Sequence, residues 1–324
     1  STARYRNGLK PLCVAAALLL IGCRWTEPAV AAAPAPRSAD CTIATRSQAV
    51  GSGTIAYHTA GHGPVLLLLH GLFAAKEQWN TLVCLFANAG YQALAVDLPG
   101  YGSSAGYALQ DYRLDQQAAL LREFTRRLGI TRLDIAGSSM GGAIATLYAR
   151  RHRQQVRTLA FIGAPLGIVG WGPGIRNAVY RGINPFIPIN GYQFELELYL
   201  LFMNPPTIPP PEKQAIIADY VTRNRHYVQV WDIVNLYDEV LQQQPLPQLP
   251  ALIVWGVEDR IYPIAGADAL HRALPGSAVN RLPRAGHLLL MENAHEVAPI
   301  YLSFLRNARA RTDSTDSLAQ HPVR

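Results

Sequence analysis

Charged residues are scarce in this chain of 324 residues: Asp, Glu, Lys and Arg together make up 16%, whereas hydrophobic residues make up 49%. Such a composition supplies enough apolar side chains for a large core and excludes an intrinsically disordered chain. The 26 glycines and 23 prolines follow no short repeat, which excludes collagen-like and coiled-coil proteins. The length predicts one domain with an insertion, or two domains.

Positive charge is in small excess, and it lies at the two ends of the chain. The formal net charge is +7, of which Arg4, Arg6 and Lys10 supply three units before any acidic residue occurs. Residues 306–324 supply two more, from four arginines against two aspartates. The body between these ends lacks a basic helix and an aromatic ribonucleoprotein motif, so we expect no nucleic-acid partner.

An apolar run that would span a bilayer is also missing. The run Pro11–Gly22 falls short of the roughly 20 residues that a membrane-spanning helix needs. Basic residues precede it, which is the order typical of a bacterial export signal. We therefore predict that residues 1–22 are a signal peptide and that the Ala- and Pro-rich residues 23–40 are a tether.

The end of this run resembles a lipobox, because Leu20-Ile21-Gly22 precedes Cys23. If Cys23 receives a diacylglycerol, the mature protein starts there and is a lipid-anchored membrane protein of the bacterial cell envelope. Cleavage among the small residues 29–33 is the alternative, and it predicts a soluble periplasmic or secreted protein. We favour lipidation; the choice between the inner and the outer membrane stays open.

Cysteine is scarce, with four residues in all. Cys13 leaves with the predicted signal peptide and Cys23 is acylated, which leaves Cys41 and Cys84 as a possible disulfide in an oxidising compartment. The alternative is that Cys84, in the apolar helical stretch Trp79–Ala89, is a small buried residue of the core.

Short runs rich in β-formers alternate with stretches of helical period. Most of these runs are continuously apolar, which is typical of parallel strands covered on both faces and predicts an α/β fold. The predicted strands are Gly53–His58, Pro64–His70, Ala93–Asp97, Arg132–Ala136, Thr158–Gly163, Ala251–Gly256 and Ala278–Leu282.

The alternation is interrupted once, between Ala164 and Gln248, where the sequence predicts helices only. We therefore divide the chain into a core of residues 41–164 and 249–306, a helical cap of residues 165–248, and a flexible polar tail of residues 307–324. The cap's large apolar side chains suit an acyl chain, although they could equally form the cap's own core. They are Trp171, Tyr180, Phe186, Phe194, Tyr199, Leu201, Phe202 and Trp231.

A G-x-S-x-G motif, Gly137-Ser138-Ser139-Met140-Gly141, lies between a predicted strand and a predicted helix. In this context the serine sits on a sharp turn at a helix N-terminus, and small neighbours let strand and helix approach each other. Ser139 is therefore the predicted nucleophile. A glycine-rich helix start without catalytic function is the alternative.

A serine hydroxyl needs a neighbouring base, and that base needs a carboxylate that orients it. Asp259 follows the predicted strand Ala251–Gly256, and His287 follows the next one. Parallel strands bring their carboxyl ends to one edge of the sheet, so we expect the catalytic residues Ser139, Asp259 and His287 to meet there. Glu258 is the rival acid.

The oxyanion of the reaction needs backbone N–H donors. We expect one from Met140, at the start of the helix after Ser139, and one from Leu72, in the loop after the strand Pro64–His70. His70 is expected to be a structural hydrogen-bonding residue.

Together these segments resemble the α/β-hydrolase superfamily over about residues 50–306. The segments HGLFAAKEQW, VDLPGYGSS, GSSMGG and AGHLLLMENAHEV, together with the cap, look like those of bacterial lipases and esterases related to monoacylglycerol lipases. The resemblance implies a mostly parallel sheet with a helical cap inserted after the sixth strand. It also implies an acyl-enzyme on Ser139, formed with a small acyl ester or lipid. No metal and no cofactor are implied.

Other reactions of the superfamily remain alternatives, because fold does not determine function. A serine at position 139 excludes dehalogenases and epoxide hydrolases, which use an aspartate nucleophile. Carbon–carbon bond hydrolases, perhydrolases and peptidases stay open, as does a non-catalytic envelope lipoprotein. The sequence determines neither the acyl chain length nor the oligomeric state.

Overall fold

An eight-stranded sheet lies at the centre of the protein. The structure is a computed structural model that describes residues 41–243 and 245–319, and for residues 312–319 it describes the backbone only. The strands are β1 (Ala44–Val50), β2 (Gly53–Ala60), β3 (Val65–Leu69), β4 (Gln92–Val96), β5 (Leu133–Gly137), β6 (Val156–Ile162), β7 (Ala251–Gly256) and β8 (Ala278–Leu282). Their order in the sheet is β1-β2-β4-β3-β5-β6-β7-β8. β2 is antiparallel to both of its neighbours, and every other pair is parallel. The predicted α/β fold class is confirmed.

Helices flank this sheet. The α-helices of the described residues are α1 (Asn80–Asn88), α2 (Leu114–Arg127), α3 (Met140–Arg151), α4 (Pro173–Tyr180), α5 (Gly191–Leu201), α6 (Pro210–Thr222), α7 (Asn224–Asn235), α8 (Ala265–Ala273), α9 (Leu289–Glu292) and α10 (Ala294–Ala319). Two short 3-10 helices add to them, Lys76–Trp79 and Leu109–Tyr112. In the described part of the chain between β6 and β7, the regular elements are the helices α4 to α7.

The central strands form because their residues are apolar on both faces. Leu66, Leu67, Leu68 and Leu69 of β3 are all fully buried, as are the corresponding residues of β4, β5 and β7. A strand of this kind is stable only inside a sheet that helices cover on both sides. The parallel arrangement gathers the carboxyl ends of β3, β5, β7 and β8 at one edge, which is where the predicted site residues follow.

Strand β1 is absent from the strands predicted from the sequence. It pairs antiparallel with β2 over its whole length, from Ala44 opposite Thr59 to Val50 opposite Gly53. Most of its side chains are polar and exposed, since it forms the edge of the sheet, so it lacks the apolar alternation that identifies a strand. Cys41 precedes this strand and forms a disulfide with Cys84 of α1.

The predicted tail boundary at residue 307 is wrong, because α10 continues through it. Arg309 of this helix donates a hydrogen bond of 3.1 Å to Asp134, and Ala308 is buried. Arginine is common on exposed helix faces, so the position of Arg309 in the sequence did not indicate its hydrogen bond to Asp134. In the described part of the chain, no helix has the length and hydropathy that a membrane span requires.

Candidate active site

Ser139 lies on the turn between β5 and α3, in a backbone conformation that only a constrained turn maintains. Its φ of 53° and ψ of −122° are unfavourable for a residue with a side chain, at a cost of about 1–3 kcal/mol. Two glycines make the turn possible. A Cβ on Gly137 would lie 2.1 Å from the carbonyl oxygen of Gly141, and one on Gly141 would lie 2.3 Å from that of Leu69.

His287 and Asp259 form a buried pair at the ends of β8 and β7. Nδ1 of His287 lies 2.8 Å from Oδ2 of Asp259, and the histidine is 2% exposed. Because a carboxylate only accepts hydrogen bonds, Nδ1 is the donor, and in the neutral imidazole this leaves Nε2 as an acceptor. The other oxygen of Asp259, Oδ1, accepts the backbone N–H groups of Ile261 at 2.8 Å and Tyr262 at 2.9 Å. The carboxylate is therefore fixed in orientation.

The geometry distinguishes Asp259 from its rival, Glu258. Oε2 of Glu258 accepts the backbone N–H of Ala285 at 3.1 Å, and the backbone N–H of Glu258 donates to the Ala285 carbonyl at the same distance. Glu258 thus joins the loop after β7 to the loop before His287, and Asp259 is the carboxylate that contacts the imidazole.

The loop after β3 lies directly against Ser139. A Cβ placed on Gly71 would lie 3.3 Å from the Cβ of Ser139, and Leu72 lines the same cavity as Ser139. Met140 is the first residue of α3, where a backbone N–H has no acceptor within the helix. The two predicted oxyanion donors therefore belong to segments that flank Ser139.

His70 joins this loop to the turn after β4. Its Nδ1 donates to the Gly71 carbonyl at 2.7 Å, and its Nε2 accepts the backbone N–H of Leu98 at 3.0 Å. Burial lowers the pKa of the imidazole, which keeps it neutral and matches one donor with one acceptor. The structural role expected for His70 agrees with these contacts.

Ser139 and His287 line one small cavity of about 40 Å³. Residues on the core side and residues from the segment between β6 and β7 enclose it. The lining consists of Gly71, Leu72, Phe73, Ala74, Gln78, Ser139, Phe186, Glu197, Leu201, Tyr220, His287 and Leu288. A cavity of this size holds only a few water molecules, so it is smaller than a long acyl chain.

Several of the cap residues expected to suit an acyl chain do not line this cavity. Phe194 and Phe202 are fully buried in the hydrophobic core, and Tyr199 is 53% exposed, with its ring stacked under the Arg260 guanidinium. Phe186 and Leu201 do line the cavity. Composition alone did not separate these groups, because their positions depend on how the segment between β6 and β7 packs against the core.

Sequence reasoning missed two polar cavity residues, Glu197 and Gln78. A single Glu in a helix usually faces solvent, and a single Gln carries no motif, so neither position was indicated. No cluster of three or more His, Cys, Asp or Glu that could hold a metal ion occurs within residues 41–243 and 245–319. The predicted signal peptide, the tether and Cys23 lie outside the described residues.

Residues 64–294, well over half of the chain, match the family defined by the alpha/beta hydrolase fold. The chain belongs to the α/β-hydrolase family. The predicted family is thereby confirmed, and the G-x-S-x-G turn around Ser139 lies within the matched residues.

Among α/β-hydrolases, lipases resemble this chain over most of its length. It is 26% identical to monoacylglycerol lipase ABHD6 of Bos taurus, over 80% of each chain. It is also 26% identical to lipase 1 of Psychrobacter immobilis, over 91% of this chain and 97% of that one. The crystal structure of a membrane phospholipase A, described as a bacterial virulence factor, is 30% identical, with a TM-score of 0.75 over 82% of this chain and 87% of that one.

Proposed function

We propose that this protein is a serine hydrolase that cleaves carboxylic esters of apolar acyl chains. The observation that carries the proposal is the arrangement around one cavity: Ser139 on its strained turn, and His287 oriented by Asp259. This is the combination of nucleophile, base and orienting acid that acyl transfer requires.

The reaction runs in two halves. Nε2 of His287 takes the proton of the Ser139 hydroxyl while Oγ attacks the ester carbonyl, and the N–H groups of Leu72 and Met140 stabilise the oxyanion. The C–O bond to the alcohol then breaks, and His287 returns the proton to the leaving alcohol. Water, deprotonated by His287, attacks the acyl-enzyme, which releases the carboxylic acid and regenerates Ser139.

An apolar acyl chain fits the surroundings of the nucleophile. Leu72, Phe73, Phe186, Leu201 and Leu288 contribute large apolar side chains to the cavity lining, and such surfaces bind alkyl groups through the hydrophobic effect. The names of the relatives, monoacylglycerol lipase, lipase and phospholipase A, agree with lipid esters as the substrate class.

We also propose that the mature enzyme is anchored in the cell envelope through acylated Cys23, after removal of residues 1–22. The bacterial lipase and membrane phospholipase relatives are compatible with such a location. Two or three acyl chains would bind a membrane stably. Mass spectrometry of the mature N-terminus tests this: a lipid-modified peptide that starts at Cys23 supports it, and an unmodified start at residues 29–34 contradicts it.

Hydrolysis of p-nitrophenyl esters of increasing acyl length, together with a monoacylglycerol, tests the proposed function. We expect activity in the wild type and its loss by roughly 10⁴-fold or more in Ser139→Ala. Ser138→Ala is the matched control, because it removes the neighbouring hydroxyl and leaves the nucleophile. Absence of esterase activity on the whole panel, or equal activity in Ser139→Ala, would refute the proposal.

A further inference from the structure

Two buried polar side chains in the cavity beside Ser139 have an oxygen without a hydrogen-bond partner among the described residues. One is Oε2 of Glu197, in α5, and the other is Oε1 of Gln78, in the 3-10 helix that follows the Leu72 loop. Both residues are 4% exposed, and both line the cavity. They come from different segments of the chain, Gln78 from the segment between β3 and β4 and Glu197 from the segment between β6 and β7.

Such groups are costly for a fold. A buried polar atom that loses its hydrogen bonds to water and gains none in the protein destabilises the native state, and native proteins contain few of them. Here two occur within one cavity, next to the nucleophile. A ligand group that hydrogen-bonds to both would remove the cost.

The charge state of Glu197 indicates what kind of group this is. Burial in the cavity wall raises the pKa of its carboxyl well above the ordinary value. A protonated carboxyl donates one hydrogen bond and accepts others, and the Gln78 amide also does both. The complementary ligand is a neutral group that can donate and accept.

The remaining lining excludes the common charged alternatives. None of the described lining residues is Lys or Arg, so a phosphate or carboxylate of the substrate would find no counter-charge there. A quaternary ammonium would need an ionised Glu197, which burial disfavours. A hydroxyl group has the required donor and acceptor.

We propose that Glu197 and Gln78 form a polar subsite that hydrogen-bonds a hydroxyl group of the ester substrate beside Ser139. The inference rests on the proposed ester hydrolysis and makes it more specific. The hydroxyl belongs either to the alcohol part of the substrate, as in a glycerol monoester, or to a hydroxylated acyl chain.

Matched substrates test the subsite in the full-length protein. The first readout is the ratio of kcat/KM for a glycerol monoester to kcat/KM for the methyl ester of the same acyl chain. The second readout is the ratio of kcat/KM for a 3-hydroxyacyl methyl ester to kcat/KM for the methyl ester of the unsubstituted acyl chain. We expect Glu197→Leu and Gln78→Leu each to lower one of these ratios by roughly tenfold or more, because each removes a buried hydrogen bond to the hydroxyl. The ratio that falls identifies the source of the hydroxyl.

Two further variants make the test specific. Glu197→Gln keeps a donor and an acceptor and should restore most of the ratio that Glu197→Leu loses. Glu195→Leu, in the same helix but exposed and paired with Lys213, should leave both ratios unchanged. Because Glu197→Leu removes the buried Oε2 atom that has no partner among the described residues, its melting temperature should equal or exceed that of the wild type.

The outcomes separate this inference from the function on which it rests. Unchanged ratios in both leucine variants, with an active wild type, would overturn the subsite alone. An equal loss on both members of each pair would also overturn it, since a merely structural role acts in that way. A wild type inactive on every ester would refute the proposed function and the subsite with it.

Discussion

Replacing Asp259 by Asn should inactivate the enzyme through the tautomer of His287, without unfolding it. Oδ1 of Asp259 already accepts two backbone N–H groups, from Ile261 and Tyr262. In Asp259→Asn the amide oxygen has to occupy this position, because an NH₂ group cannot accept those bonds. The NH₂ group therefore faces Nδ1 of His287, at the place where Oδ2 now lies 2.8 Å away.

An amide that donates to Nδ1 makes this nitrogen an acceptor and leaves the imidazole proton on Nε2. His287 then cannot take the proton of Ser139. The expected loss in kcat is about 10⁴-fold, which corresponds to about 5 kcal/mol of transition-state stabilisation. Steady-state hydrolysis of a p-nitrophenyl ester measures it, and the unfolding transition should stay close to that of the wild type.

Glu258→Gln is the matched control, because its Oε2 bond to the Ala285 N–H can be replaced by the amide oxygen. We expect it to keep activity within about threefold, since an exchange of one acceptor for another costs little. Activity of Asp259→Asn within tenfold of the wild type would refute this reasoning. A loss in Glu258→Gln larger than that in Asp259→Asn would also refute it.

Three other predictions concern stability and specificity. The Cys41–Cys84 disulfide links residues 43 positions apart, and its removal should lower the free energy of unfolding by about 4 kcal/mol because the unfolded chain gains entropy. Denaturant titration with and without reductant measures this loss, and an unchanged unfolding midpoint would contradict it. Leu201→Ala, at the cavity, should change the acyl-length preference more than the stability, whereas Phe194→Ala, in the core, should lower the free energy of unfolding by about 3–5 kcal/mol. Ester-panel and unfolding assays measure the two effects, and the reverse pattern would contradict the assignment. Because burial raises the pKa of Glu197, the folded state keeps a proton that the unfolded state releases above about pH 4.5. The free energy of unfolding of the wild type should therefore fall with rising pH relative to that of Glu197→Gln. Parallel curves of the two unfolding free energies between pH 4.5 and 7 would count against this.

The sequence predicted the fold and family well because the relevant signals are local. Strands such as β3 are continuous apolar runs, and the turn around Ser139 needs glycine at fixed spacing, so both are visible in a few neighbouring residues. The Asp259–His287 contact also followed from topology, because parallel strands end at one edge. β1 was missed since an exposed edge strand has no apolar alternation.

The rest depended on packing between distant segments. Phe194 and Leu201 belong to the same helix, yet one is buried in the core and the other lines the cavity. Glu197 lies between them in the chain, and it is buried because α5 packs beside the Ser139 cavity, where its Oε2 has no partner among the described residues. No local pattern distinguishes this residue from the exposed Glu195.

The proposed mechanism depends on a single activated serine, and covalent labelling tests this most directly. A fluorophosphonate should add once to the native protein, and peptide mass spectrometry should locate the adduct on Ser139. Labelling should persist in Ser138→Ala and disappear in Ser139→Ala and after unfolding, because reactivity requires His287 in place. An unlabelled native protein, or an adduct on another residue, would contradict the account.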